Sequence, residues 1–255
     1  SKRKDPEAAV SFYAEAGYPA GAVNEYLMTI ANSNYEDWRR ANKDESIDKF
    51  AFMLSKMGKA GALFDMVKLH DISKTYISTM NTEEVFDAVT AWSAEYDSEL
   101  NSLIMRDTDY AKSIFSIERG NKKPRKDIGK WSEVKDYIAY FYDELFDGNL
   151  GWAENIADAD KKAILTAYLE KYDHKASQED WFPTVQALAE ELGFAKSPKD
   201  YKADPDAFKG HVGDVSTVIR IALTSRRNTP DLHAIIALLG NDKVKARLDD
   251  ATKSL

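Results

Sequence analysis

Apolar residues recur along this chain at three- and four-residue intervals, in one block after another. Most blocks carry their own start or stop residue. That pattern confines the fold to helices packed on helices. Pro19 opens a block with Val23, Leu27 and Ile30 on one face. Val85, Val89 and Trp92 form the next face, and Ile164, Leu165, Tyr168, Leu169 and Tyr172 another. Trp181, Val185, Leu188 and Leu192 run to Gly193, behind a Ser177/Asp180 pair that resembles a capping box. Val215, Val218, Ile219 and Ala222 share a stripe; Leu232, Ile235, Ile236 and Leu239 share one between Pro230 and Gly240; Val244 and Leu248 support a last short helix. Residues 134–146 are rich in aromatics, with Ile138, Phe141 and Leu145 in helical register. At the start, Asp5 caps a helix that has Pro6 at its first position and Gly17 at its end. No alternating run of strand length interrupts this series. The fold class expected is all-α, with connectors at 58–61, 119–130 and 195–213.

Several chemistries are excluded by what the sequence lacks. It contains no Cys, so disulfides, thiol nucleophiles and zinc ribbons are out. His70, His174, His211 and His233 are far apart and have no metal-ligand spacing. No phosphate-cradling glycine loop is present. Carboxylate pairs such as Asp158/Asp160 and Glu190/Glu191 read as solvated surface. No apolar run reaches the roughly 18–20 residues of a membrane span, and no signal peptide is visible. No metal and no membrane are expected.

The net charge is −8, the wrong sign for an ordinary nucleic-acid binder. Its distribution says more than its sum. Residues 119–130 hold six cationic side chains and one carboxylate. Gly120, Pro124 and Gly129 favour an irregular, exposed loop there. Such a loop suits unstacked RNA bases, with phosphates gaining from counterion release. It reads equally well as a solvated charge run between helices. A second basic cluster surrounds Arg220, Arg226 and Arg227. Arg220 lies inside an apolar stripe and needs a partner, either a structural carboxylate or a ligand. The residues alone favour the structural pair.

Strings spread along the whole chain, taken in order, resemble bacterial glutamyl-tRNA synthetase. Residues 1–5, Ser-Lys-Arg-Lys-Asp, are similar to the end of the class I signature loop. Gly17-Tyr18-Pro19-Ala20, followed by Asn24-Glu25-Tyr26-Leu27, resembles the segment after it. Phe64-Asp65 with Lys68-Leu69 is similar to a helix–loop element of the family. Arg220-Ile221-Ala222-Leu223-Thr224, Thr229-Pro230-Asp231-Leu232 and Leu239-Gly240 followed by Arg247-Leu248 resemble its C-terminal signature. Where the family commonly has Trp-Met-Asn after the Lys-Leu element, this chain has Asp71-Ile72-Ser73.

The resemblance implies the tRNA-binding part of an enzyme that attaches glutamate to tRNA(Glu) in translation, using ATP and Mg. It implies the end of a stem-contact domain over residues 1–80 and two helical anticodon-binding domains over 81–143 and 144–255. Lys2 falls on the family's second signature lysine, which stabilises ATP phosphate charge. Arg220, Thr229 and Leu232 fall on positions resembling anticodon contacts, which moves Arg220 toward a base-reading role. Arg125 resembles the family's other anticodon-reading arginine, with Lys126 and Arg119 as alternatives. The resemblance further implies tRNA(Glu) as partner, no DNA, a cytoplasmic monomer, and no cofactor bound to this chain itself. The alternative is a non-catalytic helical protein-interaction module. The catalytic Rossmann domain and its nucleotide signature are not in this chain. The chain alone is therefore expected not to make glutamyl-adenylate; ATP-dependent pyrophosphate exchange by it would refute that.

Overall fold

Side chains close the helix starts. Asn81 accepts the Glu84 N–H at 3.0 Å while the Glu84 carboxylate accepts the Asn81 N–H at 2.7 Å, a complete capping box. Asp97 and Asp107 each accept an N–H of the next first turn, from Leu100 and Tyr110. Ser177 and Ser197 cap in the same way through Asp180 and Asp200. The result, in a computed structural model that describes residues 6–43, 45–58 and 63–255, is a chain of helices. Among the described residues the only extended pairing is one isolated bridge, between Ala195 and His211. The all-α expectation holds.

The chain divides into two compact units, with the joint between Tyr137 and Ile138. The first holds α1 (Val10–Ala16), α2 (Ala20–Ala31), α3 (Tyr35–Ala41), α4 (Met66–Thr79), α5 (Thr82–Tyr96), α6 (Ser98–Arg106), α7 (Thr108–Ser116) and α8 (Val134–Tyr137). In it α2 packs on α4, and α5 packs on α6 and α7. Gly17 ends α1 in the left-handed region at φ 86°, and its carbonyl accepts the Trp131 N–H at 2.8 Å. A Cβ at Gly17 would lie 2.8 Å from that same nitrogen, so glycine is required there for both conformation and space.

The second unit holds α9 (Asp158–Lys171), α10 (Gln178–Glu191), α11 (Pro198–Ala203), α12 (Val212–Thr224), α13 (Leu232–Leu239) and α14 (Asn241–Lys253). Helix α12 is its centre. It packs against α9, α10 and α14 and buries Val215, Val218, Ile219, Ile221, Ala222 and Leu223.

Four expectations are corrected. The helix expected from Pro6 to Gly17 is interrupted by extended Ala9, with a 3-10 turn over Pro6–Ala8 and α1 beginning only at Val10, and its expected cap, Asp5, lies outside the described residues. Of the expected α2 stripe, Val23 and Ile30 pack against the core but Leu27 is 43% exposed, and the fully buried residues are Ala22 and Tyr26. Tyr26 packs on buried Leu69 and accepts the Asp65 N–H through its hydroxyl, which fixes that rotation of the helix. Residues 134–146 are not one helix. The turn breaks at Ile138, with φ −95° and ψ 0°, and Tyr142 is extended. Tyr140, Phe141 and Tyr142 are all buried. The 195–213 connector contains α11, capped by Ser197 with Pro198 at its first position.

Candidate nucleic-acid interface

The basic segment 119–130 is a loop, as expected. It leaves α7 through two left-handed residues, Glu118 at φ 57° and Gly120 at φ 81°, and ends at the short turn that begins with Trp131. Its cations do different jobs. The Arg119 Nε donates to the Phe115 carbonyl at 3.0 Å. The Arg119 Nη1 donates to Ile77 and Met80 carbonyls at 2.9 and 3.0 Å. Arg119 therefore closes the C-terminal ends of α4 and α7, where exposed carbonyls favour a cation. Burial pushes its pKa down, against that favourable setting.

Arg125 forks onto Asp127, with Nε to Oδ2 at 2.6 Å and Nη2 to Oδ1 at 3.0 Å. Glu118 stands 3.8 Å away, and the Asp127 hydrogen bonds raise the guanidinium's pKa. The pair lines a cleft with Ile77, Arg119, Pro124 and Tyr137. Burial, and next the Asp127 charge, push the Tyr137 phenol well above its ordinary range, so it stays neutral. Exposed Lys126 donates to the Thr75 hydroxyl at 3.0 Å. Lys122 and Lys123 are exposed beside it. The structure thus brings Arg119, Arg125 and Lys126 onto one loop, with Arg119 turned toward helix ends and Lys126 toward solvent.

In the second unit Arg220, Thr229 and Leu232 meet at the loop between α12 and α13. Ser225, at φ 58°, ends α12. The Thr224 hydroxyl donates to the Arg220 carbonyl at 2.7 Å and accepts the Arg226 N–H at 3.2 Å. The Arg220 Nη1 donates to the Thr229 hydroxyl, to the Pro230 carbonyl at 2.9 Å and to the Thr229 carbonyl at 3.4 Å. Asp231 then caps α13 by accepting the Ala234 N–H at 2.8 Å. Half-buried Arg220 clasps this loop, while Thr229 is 6% and Leu232 2% exposed. Arg227 reaches the Gly151 and Trp152 carbonyls at 3.2 and 2.6 Å, and the Arg226 guanidinium sits 5.9 Å from the Tyr140 ring.

Arg247 falls in the C-terminal signature, where sequence reasoning gave it no role. It is 7% exposed on α14, donating to the Tyr140 and Leu223 carbonyls at 2.8 and 2.6 Å and lying 3.6 Å over the Phe146 ring. Its signal was a cation standing between Val244 and Leu248 in an apolar stripe. Lys2 lies outside the described residues. Among the described residues, no group of three or more His, Asp or Glu side chains could hold a metal, and no helix is long and apolar enough to cross a membrane.

Comparison with known proteins converges on one family. Residues 205–252 match the family described as an anticodon binding domain, a range that takes in α12 to α14 with Arg220, Thr229 and Leu232. The chain is 45% identical over 248 residues to a glutamate–tRNA ligase of Acetivibrio thermocellus, covering 97% of this chain and 45% of that protein. It is 43% identical over 252 residues to that of Clostridium perfringens, covering 97% and 46%. The chain spans about half the length of the curated relatives it matches. A crystal structure of a glutamate–tRNA ligase from Elizabethkingia meningosepticum, in complex with its amino acid, shares the fold with a TM-score of 0.59. It is 19% identical and covers 95% of this chain and 43% of that one.

Proposed function

We propose that this chain, homologous along nearly its whole length to glutamate–tRNA ligases, is the part of such an enzyme that grips tRNA(Glu) by its anticodon. The observation that carries the reading is the clasped Arg220–Thr229 loop, which lies inside the residues matching an anticodon binding domain. The basic 119–130 loop of the first unit supports it, since cations on an irregular loop attract phosphates and unstacked bases. Residues 1–80 would be the end of a stem-contact domain, with helical anticodon-binding domains over 81–143 and 144–255. The second of these joints lies close to the division at Tyr137/Ile138.

Amino-acid activation belongs to the whole enzyme, where ATP with Mg supplies the energy for esterifying the tRNA. Within this chain only Lys2 is assigned toward those phosphates. The protein is read as a cytoplasmic monomer.

Binding of tRNA(Glu) and a control tRNA across a salt series tests this. Affinity for tRNA(Glu) should fall by on the order of tenfold or more between about 50 and about 200 mM salt. It should also weaken when the anticodon is changed. Equal, salt-insensitive binding of both RNAs would favour the helical interaction module instead.

A further inference from the structure

The second unit carries an open cleft of about 400 Å³ that none of the residues discussed for tRNA contact occupies. Phe146, Leu150, Trp152, Ala222, Arg247 and Asp250 are among the residues that line it. We propose that this cleft takes one unstacked nucleobase of the bound RNA, with Trp152 as its stacking surface; this rests on the reading of the chain as a tRNA-binding part.

The walls have the chemistry that an extruded base needs. Trp152 and Phe146 are both half-buried aromatics on one loop, and both line the cavity. Bases pulled out of a stack are recovered by aromatic side chains and guanidinium planes. Arg247 supplies a fixed positive charge at the cleft wall. Its guanidinium lies 3.6 Å from the Phe146 ring centroid. Its Nη1 is spent on the Tyr140 and Leu223 carbonyls and its Nη2 reaches Asp143 at 3.3 Å. The group is held in place and is not a mobile reader. Asn149, Asp250 and Ser254 also line the cleft and offer both donors and acceptors to a base edge. The volume falls at the lower end of small-ligand pockets, which fits a single nucleotide better than a helix or an extended segment.

The cleft is also joined to the proposed anticodon region. Arg227 leaves the loop clasped by Arg220 and donates to the Gly151 and Trp152 carbonyls. The backbone that carries Trp152 is thus anchored to the 225–231 loop. Ala222 stands one turn before Ser225 on α12 and lines the cleft itself. An RNA strand held at the clasped loop has a neighbouring nucleotide within reach of an aromatic slot.

The test uses the full chain and a tRNA(Glu) anticodon stem-loop. Trp152→Ala should weaken stem-loop binding about tenfold or more, while leaving the thermal midpoint near wild type. Trp152→Phe keeps a stacking ring and should retain most of the affinity. It should also lose the part of the tryptophan fluorescence quench that the RNA produces in the wild type. If wild type binds the stem-loop and Trp152→Ala binds as well, with the same quench, the cleft is not a base subsite and the tRNA reading stands. If the wild-type chain binds no stem-loop, that underlying reading falls with it.

Discussion

Arg247→Ala is expected to lower the thermal midpoint of the 138–255 unit by about 10 °C, corresponding to about 3 kcal/mol. The side chain is 7% exposed and its Nη1 satisfies two main-chain carbonyls, those of Tyr140 and Leu223. Tyr140 lies in the short 3-10 turn Ala139–Phe141, outside the regular α-helical ladder. Removing the guanidinium strips a donor from two buried acceptors at once, and an orphaned buried polar group costs about 1–3 kcal/mol. It also removes a cation stacked on Phe146. Arg247→Met separates these contributions. Methionine restores most of the volume but donates nothing, so a melt close to that of alanine assigns the loss to the carbonyls. A melt close to wild type would mean that packing, and not the hydrogen bonds, is what Arg247 provides. Arg247→Lys should fall between them, because one ammonium cannot reproduce the planar fork.

The case of Arg247 marks where the sequence stops being legible. Helix existence followed from periodicity wherever an apolar stripe had a stop, as in α10 before Gly193 and α13 before Gly240. Rotation of a helix did not follow. Val23, Leu27 and Ile30 make as good a stripe as Ala22 and Tyr26, and only the contact of Tyr26 with Leu69 and Asp65 decides between them. Short helices were hidden as well. α6 and α7 follow Asp97 and Asp107 with no glycine or proline at their ends to mark a stop. The break after Tyr137 was concealed because Ile138, Phe141 and Leu145 keep helical spacing although the turn breaks at Ile138 and Tyr142 is extended.

Cations show the same limit more sharply. Composition placed Arg119, Arg125 and Lys126 on one basic loop, and so does the structure. It could not say that Arg119 turns inward to the ends of α4 and α7 or that Arg125 is held by Asp127. Those outcomes depend on carbonyls and carboxylates brought near by the fold, at separations such as the 42 residues from Ile77 to Arg119. The resemblance to glutamyl-tRNA synthetase itself is borne out by relatives at 45% and 43% identity.

For Arg220 the structure sharpens the expected result into two separable parts. The guanidinium clasps Thr229 and the Pro230 carbonyl from within α12. Arg220→Ala therefore releases hydrogen bonds of a half-buried loop, which should cost about 1–2 kcal/mol of stability. If the same side chain also reads a base, binding of tRNA(Glu) should weaken by roughly 1–3 kcal/mol, and discrimination at one anticodon position should relax. Arg220→Lys distinguishes the two. A lysine can still donate to the Pro230 carbonyl, so the melt should stay near wild type, but it cannot present a bidentate fork to a base. The expected pattern for Arg220→Lys is a folded protein whose tRNA(Glu) affinity drops and whose preference for the correct anticodon flattens. An Arg220→Lys chain with wild-type melting and undiminished anticodon discrimination would leave Arg220 as a clasp alone. The base reading would then pass to groups that the clasp positions, of which the Arg226–Asn228 stretch of the same loop is the nearest in sequence.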